Sequence, residues 1–420
     1  MTADVQTSLP APEPFSDAVR SAPEIPRDPD LPGLAQAMNP DWAWKAYLER
    51  YGPPLDEPDR VKLDYFLYRP GARAVVGYVT ERTWDDWLVE DHFAFELLAG
   101  QEVRLFRYPE DPYLPGLELM ASPLSAQEIV PKYVPLHPQR LAIEAVRYRP
   151  TARALIRQQA RFRRRTMGSV VLYARILPPR RIATLITAGE LVVHSGFAIP
   201  RLAGYYEDAG VVWLSNVPGK TVRQLIRGGK APEPEQLLDG LAPLWSASVP
   251  DGMGQPLDVL SGFGHTKRVL SRVLPDGDQH ELLGRLLRVL QPFVESWRPS
   301  APAHNDFYDD QMIVTPENRI ALVDFEEAGP GDPLIDVGNM LAHLGWMGRF
   351  SSKGQRFDAY GEALRAVALE RFGWERRELA LRESYSLFRL ASNPVRRFSE
   401  ESIPKSEAIL ALALEALESA

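Results

Sequence analysis

The stretch His304-Asn305-Asp306-Phe307-Tyr308-Asp309-Asp310-Gln311-Met312-Ile313-Val314, with its continuation Ile320-Ala321-Leu322-Val323-Asp324-Phe325-Glu326, decides the fold. Two short apolar runs flank a turn at Pro316-Glu317-Asn318, which predicts a hairpin. Each strand carries a carboxylate at one end, and the hairpin brings those ends together. Asp306, Gln311 and Asp324 are therefore expected to converge, although Asp306 and Asp324 are 18 residues apart in the chain. Such a group suits phosphoryl transfer. One carboxylate orients or deprotonates an attacking hydroxyl, while a second carboxylate and a neutral oxygen hold Mg2+ against nucleotide phosphates.

Working upstream, the residues between Ala145 and Gly189 include eleven Arg and no Asp or Glu. Strand-like segments run from Ala142 to Tyr148, Ala154 to Phe162 and Ser169 to Leu177, an antiparallel meander. Along the second, Arg153, Arg157, Arg161 and Arg163 share one face, and Ala154, Ile156, Ala160 and Phe162 the other. A helical segment follows from about Arg181 to Ser195, then strand-like Arg201 to Tyr206 and Val211 to Leu214. From about Thr221 onward the patterns are mostly helical, interrupted by the hairpin region.

These features together resemble the aminoglycoside phosphotransferase and choline kinase family, small-molecule kinases of the protein-kinase-like superfamily, maltokinase-like members included. That family carries His-x-Asp-x-x-x-x-Asn followed by an Asp on the next strand, matched here at His304, Asp306 and Asp324, with Gln311 where the family has Asn. The resemblance implies that Asp306 is the catalytic base and that Asp324 and Gln311 are metal ligands. His304 is expected to hold the catalytic loop by hydrogen bonds. Gly331-Asp332-Pro333-Leu334-Ile335-Asp336 matches the family's continuation into a helix, with Asp336 structural. The family's nucleotide-facing Lys falls at Arg175, expected to pair with Glu190 on the following helix. Its hinge falls at Val211 to Gly219, where Ser215 and Val217 are expected to offer backbone contacts to adenine. The implied cofactors are ATP and Mg2+. Asp309, Asp310, Glu326, Glu327 and Asp332 fit turn-capping carboxylates as well as site residues. No Gly-x-x-x-x-Gly-Lys-Ser/Thr sequence occurs, and the Tyr-Arg-Pro turns are not a Gly-rich phosphate loop.

The N-terminal half contains an internal repeat. Asp28-Pro29-Asp30-Leu31-Pro32-Gly33-Leu34 matches Asp111-Pro112-Tyr113-Leu114-Pro115-Gly116-Leu117 at an offset of 83, and Tyr68-Arg69-Pro70-Gly71-Ala72-Arg73 matches Tyr148-Arg149-Pro150-Thr151-Ala152-Arg153 at an offset of 80. Asn39-Pro40 and Ser122-Pro123 fall between them. Two copies point to one duplication rather than an array. In the first copy the strands are Lys62 to Tyr68 and Ala74 to Thr80.

The expected fold is therefore α+β and two-lobed, preceded by an extra domain. Residues 1–24 read as a mobile tail, 25–138 as a cap-like half-repeat packed on the N-lobe, 139–219 as N-lobe and hinge, and 220–420 as a helical C-lobe. A chain of 420 residues accommodates these domains, and its 45% hydrophobic and 25% charged residues are those of an ordinary globular protein. The net charge of −8 argues against a nucleic-acid partner, and against an RNA-binding module built on the arginines. Absent cysteine excludes disulfides and thiolate chemistry. No apolar run approaches the roughly 20 residues that span a bilayer, and no signal peptide is evident, so no membrane association and a cytoplasmic location are expected.

The expected function is ATP- and Mg2+-dependent phosphorylation of a hydroxyl on a sugar, aminosugar or aminoglycoside. The alternative is a catalytically weak pseudokinase that binds nucleotide or a partner, motivated by Arg175 and Gln311. The acid-rich segment from Asp306 to Asp336, whose only Lys or Arg is Arg319, suits a cationic acceptor without excluding a neutral sugar. Oligomeric state is not legible.

Overall fold

In the first repeat of the computed structural model, helices α1 (Leu34–Ala37) and α2 (Pro40–Tyr51) precede an antiparallel sheet. Its strands, in spatial order, are β1 (Arg60–Arg69), β2 (Arg73–Trp84), β3 (Trp87–Leu98) and β4 (Arg104–Arg107). The structure describes residues 24–54, 57–85, 87–162, 168–248 and 254–419. Residues 1–23 of the expected tail, and Arg163 of the expected arginine face, lie outside them.

The second repeat copies this plan. Helices α3 (Gly116–Ala121) and α4 (Pro123–Tyr133) precede β5 (Arg140–Arg149), β6 (Arg153–Arg161) and β7 (Ser169–Ile176). The matching sequence motifs do matching work. Asn39 caps α2 by accepting from the amides of Asp41 and Trp42, and Ser122 caps α4 by accepting from the Ser125 amide. In each copy an Asp anchors the Tyr-Arg-Pro turn. Asp28 accepts from the Tyr68 hydroxyl at 2.9 Å and the Gly71 amide at 2.8 Å. Asp111 accepts from the Tyr148 hydroxyl at 2.9 Å and the Thr151 amide at 2.7 Å.

The repeat unit is thus a helix pair plus a three-strand meander. This moves the expected domain boundary at residue 138. Leu114, Leu117, Met120, Ala126 and Val130 pack with Ile156, Ala174 and Trp213 of the second sheet. The helices before β5 cover that sheet's apolar face, so the second unit begins near Asp111.

After β7 come α5 (Ile182–Val192), β8 (Leu202–Tyr206) and β9 (Val211–Ser215). The five-stranded antiparallel sheet has the order β5-β6-β7-β9-β8. Along β6, Ala154, Ile156, Gln158 and Ala160 are buried, and the arginine parity faces the other way. Buried Gln158 is satisfied by the Trp213 indole N–H at 2.9 Å.

The second lobe opens on β10 (Lys220–Thr221) and α6 (Val222–Gly228), whose Thr221–Gln224 capping box fixes its start. Helices α7 (Pro234–Trp245), α8 (Val259–Val273) and α9 (Asp278–Ser296) follow. Then come β11 (Ala301–Ala303), β12 (Met312–Val314), β13 (Ile320–Leu322) and β14 (Gly329–Gly331). Helices α10 (Pro333–Phe350), α11 (Gly354–Phe372), α12 (Arg376–Leu390) and α13 (Ser402–Glu418) complete the chain. Helix α10 is buried on most sides, and it approaches α12 through Gly338, where a Cβ would lie 2.8 Å from the Arg382 and Glu383 backbone.

The N-terminal sheet packs on more than the N-lobe. Its core of Phe66, Tyr68, Tyr78 and Phe93 is continuous with Val269 and Val273 of α8 and with Val395. Phe66 meets Phe398 edge-on at 5.4 Å. Gly77 and the aromatic group His92, Tyr108 and Tyr148 touch the second repeat's turn region. The expected N-lobe contact exists, and a larger apolar contact to the C-lobe accompanies it.

Candidate active site

The predicted hairpin forms, with Met312 opposite Leu322 and Val314 opposite Ile320. Asn318 takes the left-handed turn conformation at φ 58°, and the Val323 amide donates to the Gln311 carbonyl at 2.8 Å. Gln311 and Asp324 are thereby held side by side at the open end. The parallel bridge from Ala198 to Ala321 ties this hairpin to the segment after α5.

The loop before β12 is held from below by Asp336, fully buried on the first turns of α10. Its carboxylate accepts the amides of His304 at 2.9 Å and Asn305 at 2.7 Å, and the Trp245 indole N–H at 2.9 Å. Burial raises the Asp336 pKa to about 6, against the pull of those three donors. Asn305 (φ 65°) and Asp324 (φ 62°) both adopt left-handed backbone that non-glycine residues seldom take, a feature of strained functional loops. Gly331 is required beside them, since a Cβ there would lie 1.9 Å from Asn305 Oδ1.

This corrects the role expected of His304. Its ring is fully buried, and neither ring nitrogen has a hydrogen-bond partner. Burial lowers its pKa to about 4, so the ring is a neutral packing element set edge-on to Phe307. The loop is held through the backbone amide of residue 304, because Asp336 supplies the acceptor from the adjacent helix.

Asp306 is half-buried, and its Oδ2 accepts from Gln311 Nε2 at 3.0 Å. Burial raises its pKa to about 7; Asp324 and Glu327 add to the rise, and Arg389 opposes it. Gln311 is 2% exposed, and its Oε1 is buried without a partner. Asp324 is held ionised well below the ordinary carboxylate range. Burial opposes this, but the charges of Arg175 and Arg153 outweigh it.

Asp324 Oδ1 takes Arg175 at 2.6 Å and Arg153 at 3.5 Å. Arg175 also pairs with Glu326, which is 5% exposed and within reach of Arg153 and Arg181. The expected Arg175–Glu190 pair is therefore not formed. Glu190 is exposed near the end of α5, while Glu326 stands two residues beyond Asp324, directly under β7. In the sequence Glu326 fits a turn-capping acid as well as a site residue, and its position two residues after Asp324 is the signal that points to the site.

The hinge segment also differs from expectation at one atom. Ser215 ends β9, and its amide donates to the Arg201 carbonyl at 2.9 Å while its Oγ accepts from the Arg201 amide. That N–H is used within the sheet edge, so a base would be met by the segment beyond it, where Val217 is half-buried. Asp309 and Asp310 are matched by Arg223 of α6, Asp309 at 3.0 and 2.8 Å. Asp332 caps α10 through the Leu334 amide and accepts from Arg382 at 3.1 Å. Most acids of this segment are thus paired with arginines of other elements, Arg153, Arg175, Arg181, Arg223 and Arg382.

Among the described residues no cluster of three or more His, Asp or Glu is placed to hold a metal alone. A magnesium ion needs less protein than that, since one or two carboxylates suffice when phosphates and water fill the rest. Asp324 has its Oδ2 outside the arginine contacts, and Gln311 Oε1 is an unpartnered buried oxygen beside it. These two residues fit such an ion.

A comparison with known families agrees with this geometry. Residues 262–380 match the phosphotransferase enzyme family. No curated protein matches the sequence. Among solved structures, a choline kinase from Cryptosporidium parvum aligns over 70% of this chain and 95% of its own at 11% identity, with a TM-score of 0.50. The choline kinase LicA from Streptococcus pneumoniae covers 71% of this chain and 99% of its own at 12% identity and a TM-score of 0.47. An aminoglycoside phosphotransferase in a ternary complex with ADP and hygromycin B covers 70% and 98% at 13% identity and a TM-score of 0.48. At such identity the Cryptosporidium choline kinase shows the fold alone, which is protein-kinase-like and two-lobed. The family match is carried by residues 262–380 of the second lobe, which include the hairpin. No described helix is long and apolar enough to cross a membrane.

Proposed function

We propose that the chain transfers the γ-phosphoryl group of ATP, with Mg2+, to a hydroxyl of a small molecule such as a sugar or aminosugar. The observation that carries this reading is the group at the hairpin's open end. Asp306 has one oxygen fixed by Gln311, Gln311 has its amide oxygen unpartnered, and Asp324 is held ionised beside them. With Oδ2 occupied, Asp306 Oδ1 is the oxygen free to take the acceptor's proton. The acceptor oxygen bonds to the γ-phosphorus as the bond to the bridging oxygen breaks, and ADP leaves. Gln311 and Asp324 would hold Mg2+, which supplies charge neutralisation to the phosphates. Arg175, fixed by Glu326, would face those phosphates from β7, and Val217 lies on the segment that would meet adenine.

The test is ADP release over a panel of sugars, aminosugars, aminoglycosides, sugar phosphates and sugar acids, run with wild type and Asp306→Asn. Turnover by wild type and none by the variant supports the reading. Equal inactivity of both across the panel would favour the second reading, a nucleotide-binding pseudokinase. The Arg175–Asp324 contact supports that alternative, since it places a guanidinium on a proposed metal ligand.

A further inference from the structure

The charges around the cleft do not balance. Arg153, Arg175 and Arg181 are matched by Asp324, Glu326 and Glu327, and Arg223 by Asp309 and Asp310. Among the described residues, Arg149, Arg389 and Arg396 have no carboxylate at ion-pair distance. They come from the end of β5, from α12 and from the 394–397 turn. Arg389 Nη1 is buried and has no hydrogen-bond partner, and its guanidinium lies 5.8 Å from the centre of the Tyr385 ring.

The three share one electrostatic neighbourhood. Arg389 and Arg396 both act on Asp306, and Arg396 also feels Arg153 and Arg389. Burial, followed by the charges of Arg147, Arg153 and Arg396, lowers Arg149 to about 10. Tyr65 of β1 acts on both Arg149 and Arg396, so the N-terminal sheet borders the same space. Three guanidiniums around one half-buried carboxylate leave an excess of positive charge there, and a guanidinium fork suits phosphate or carboxylate oxygens.

We propose that Arg389 and Arg396, with Arg149 beside them, form an anion subsite on the acceptor side of Asp306, and that the acceptor carries a phosphate or carboxylate group besides the hydroxyl it presents. This rests on Asp306 being the base. It departs from the cationic acceptor that the acid-rich segment suggested, because those acids are already paired.

Inorganic phosphate is the probe. It is titrated calorimetrically into the full chain alone, and into the full chain saturated with the Mg2+ complex of the non-hydrolysable analogue AMP-PNP. Phosphate is expected to bind with the nucleotide site filled. Arg389→Gln and Arg396→Gln should each weaken it by about tenfold or more, as expected for loss of a charge-assisted bond. Arg389→Lys should retain most of the binding, and affinity for Mg–AMP-PNP should stay within about twofold. Melting curves check folding, and exposed Arg396 keeps the test alive if the Arg389 variant unfolds. Three results overturn the proposal: no phosphate binding, binding indifferent to both arginines, or phosphate displaced by AMP-PNP, which would assign the arginines to the nucleotide. Failure of AMP-PNP itself to bind would sink the kinase reading separately. Arginine-dependent phosphate binding would then still support the anion subsite.

Discussion

At the scale of single residues, the site separates groups by environment. Asp306 is raised by burial and Asp324 is lowered by arginines, so the two carboxylates differ in what they are ready to do. Arg175→Lys tests how the nucleotide-facing cation is held. Lysine reaches one carboxylate as a point charge, whereas Arg175 spans Asp324 and Glu326. We expect Glu326→Gln to weaken Mg-ATP binding by at least about tenfold, measured by calorimetry, and Glu190→Gln to leave it unchanged. The reverse ranking would restore the helix α5 pairing. His304 offers a stability test. Its folded pKa, about 4, lies below the ordinary value of 6.5, so below pH 6.5 the unfolded state binds the proton that the folded state refuses. Stability is then full above about pH 6.5 and falls as pH drops toward 4, by at most about 1.4 kcal/mol per unit. Urea unfolding of His304→Asn between pH 7.5 and 5 should show a shallower decline than wild type. An unchanged slope would mean that His304 is not the group responsible.

At the scale of elements, much was legible because spacing and turn chemistry are local. The hairpin from Met312 to Leu322 follows from two apolar runs around Pro316-Glu317-Asn318, and the arginine parity of β6 follows from the two-residue period of a strand. What was not legible is non-local. Glu326 and Glu190 are both acids near Arg175 in principle, and only the packing of β7 over the hairpin chooses between them. The boundary near Asp111, by contrast, is marked by the repeat motif that starts there, and the packing of α3 and α4 on the second sheet agrees with that motif rather than with a boundary at 138. The repeated Asp anchors give a paired prediction. Asp28→Ala and Asp111→Ala each remove an acceptor for a tyrosine hydroxyl and a turn amide, at a cost of about 1–3 kcal/mol in chemical unfolding. Only Asp111→Ala should also lower phosphoryl transfer, because its turn carries Arg149 and Arg153 to the cleft. Equal activity loss in both variants would contradict this division.

At the scale of the whole molecule, the N-terminal unit is a brace. Its aromatic core continues into Val269, Val273 and Val395, so it joins the C-lobe to the second repeat. Phe66, 1% exposed, sits at that junction. Phe66→Ala should destabilise by about 3–5 kcal/mol, seen as a lower melting temperature. A negligible shift would mean the domain rests on the C-lobe without depending on it.

The central claim is that the hairpin's open end assembles a nucleotide site that needs a metal. The most direct measurement is calorimetric titration of ATP into wild type, Asp306→Asn and Asp324→Asn, with and without Mg2+. The account predicts Mg2+-dependent binding by wild type, affinity within about tenfold, or about 1.4 kcal/mol, for Asp306→Asn, and a clear loss of the Mg2+-dependent part for Asp324→Asn. Absence of ATP binding by the wild type in either condition would contradict it.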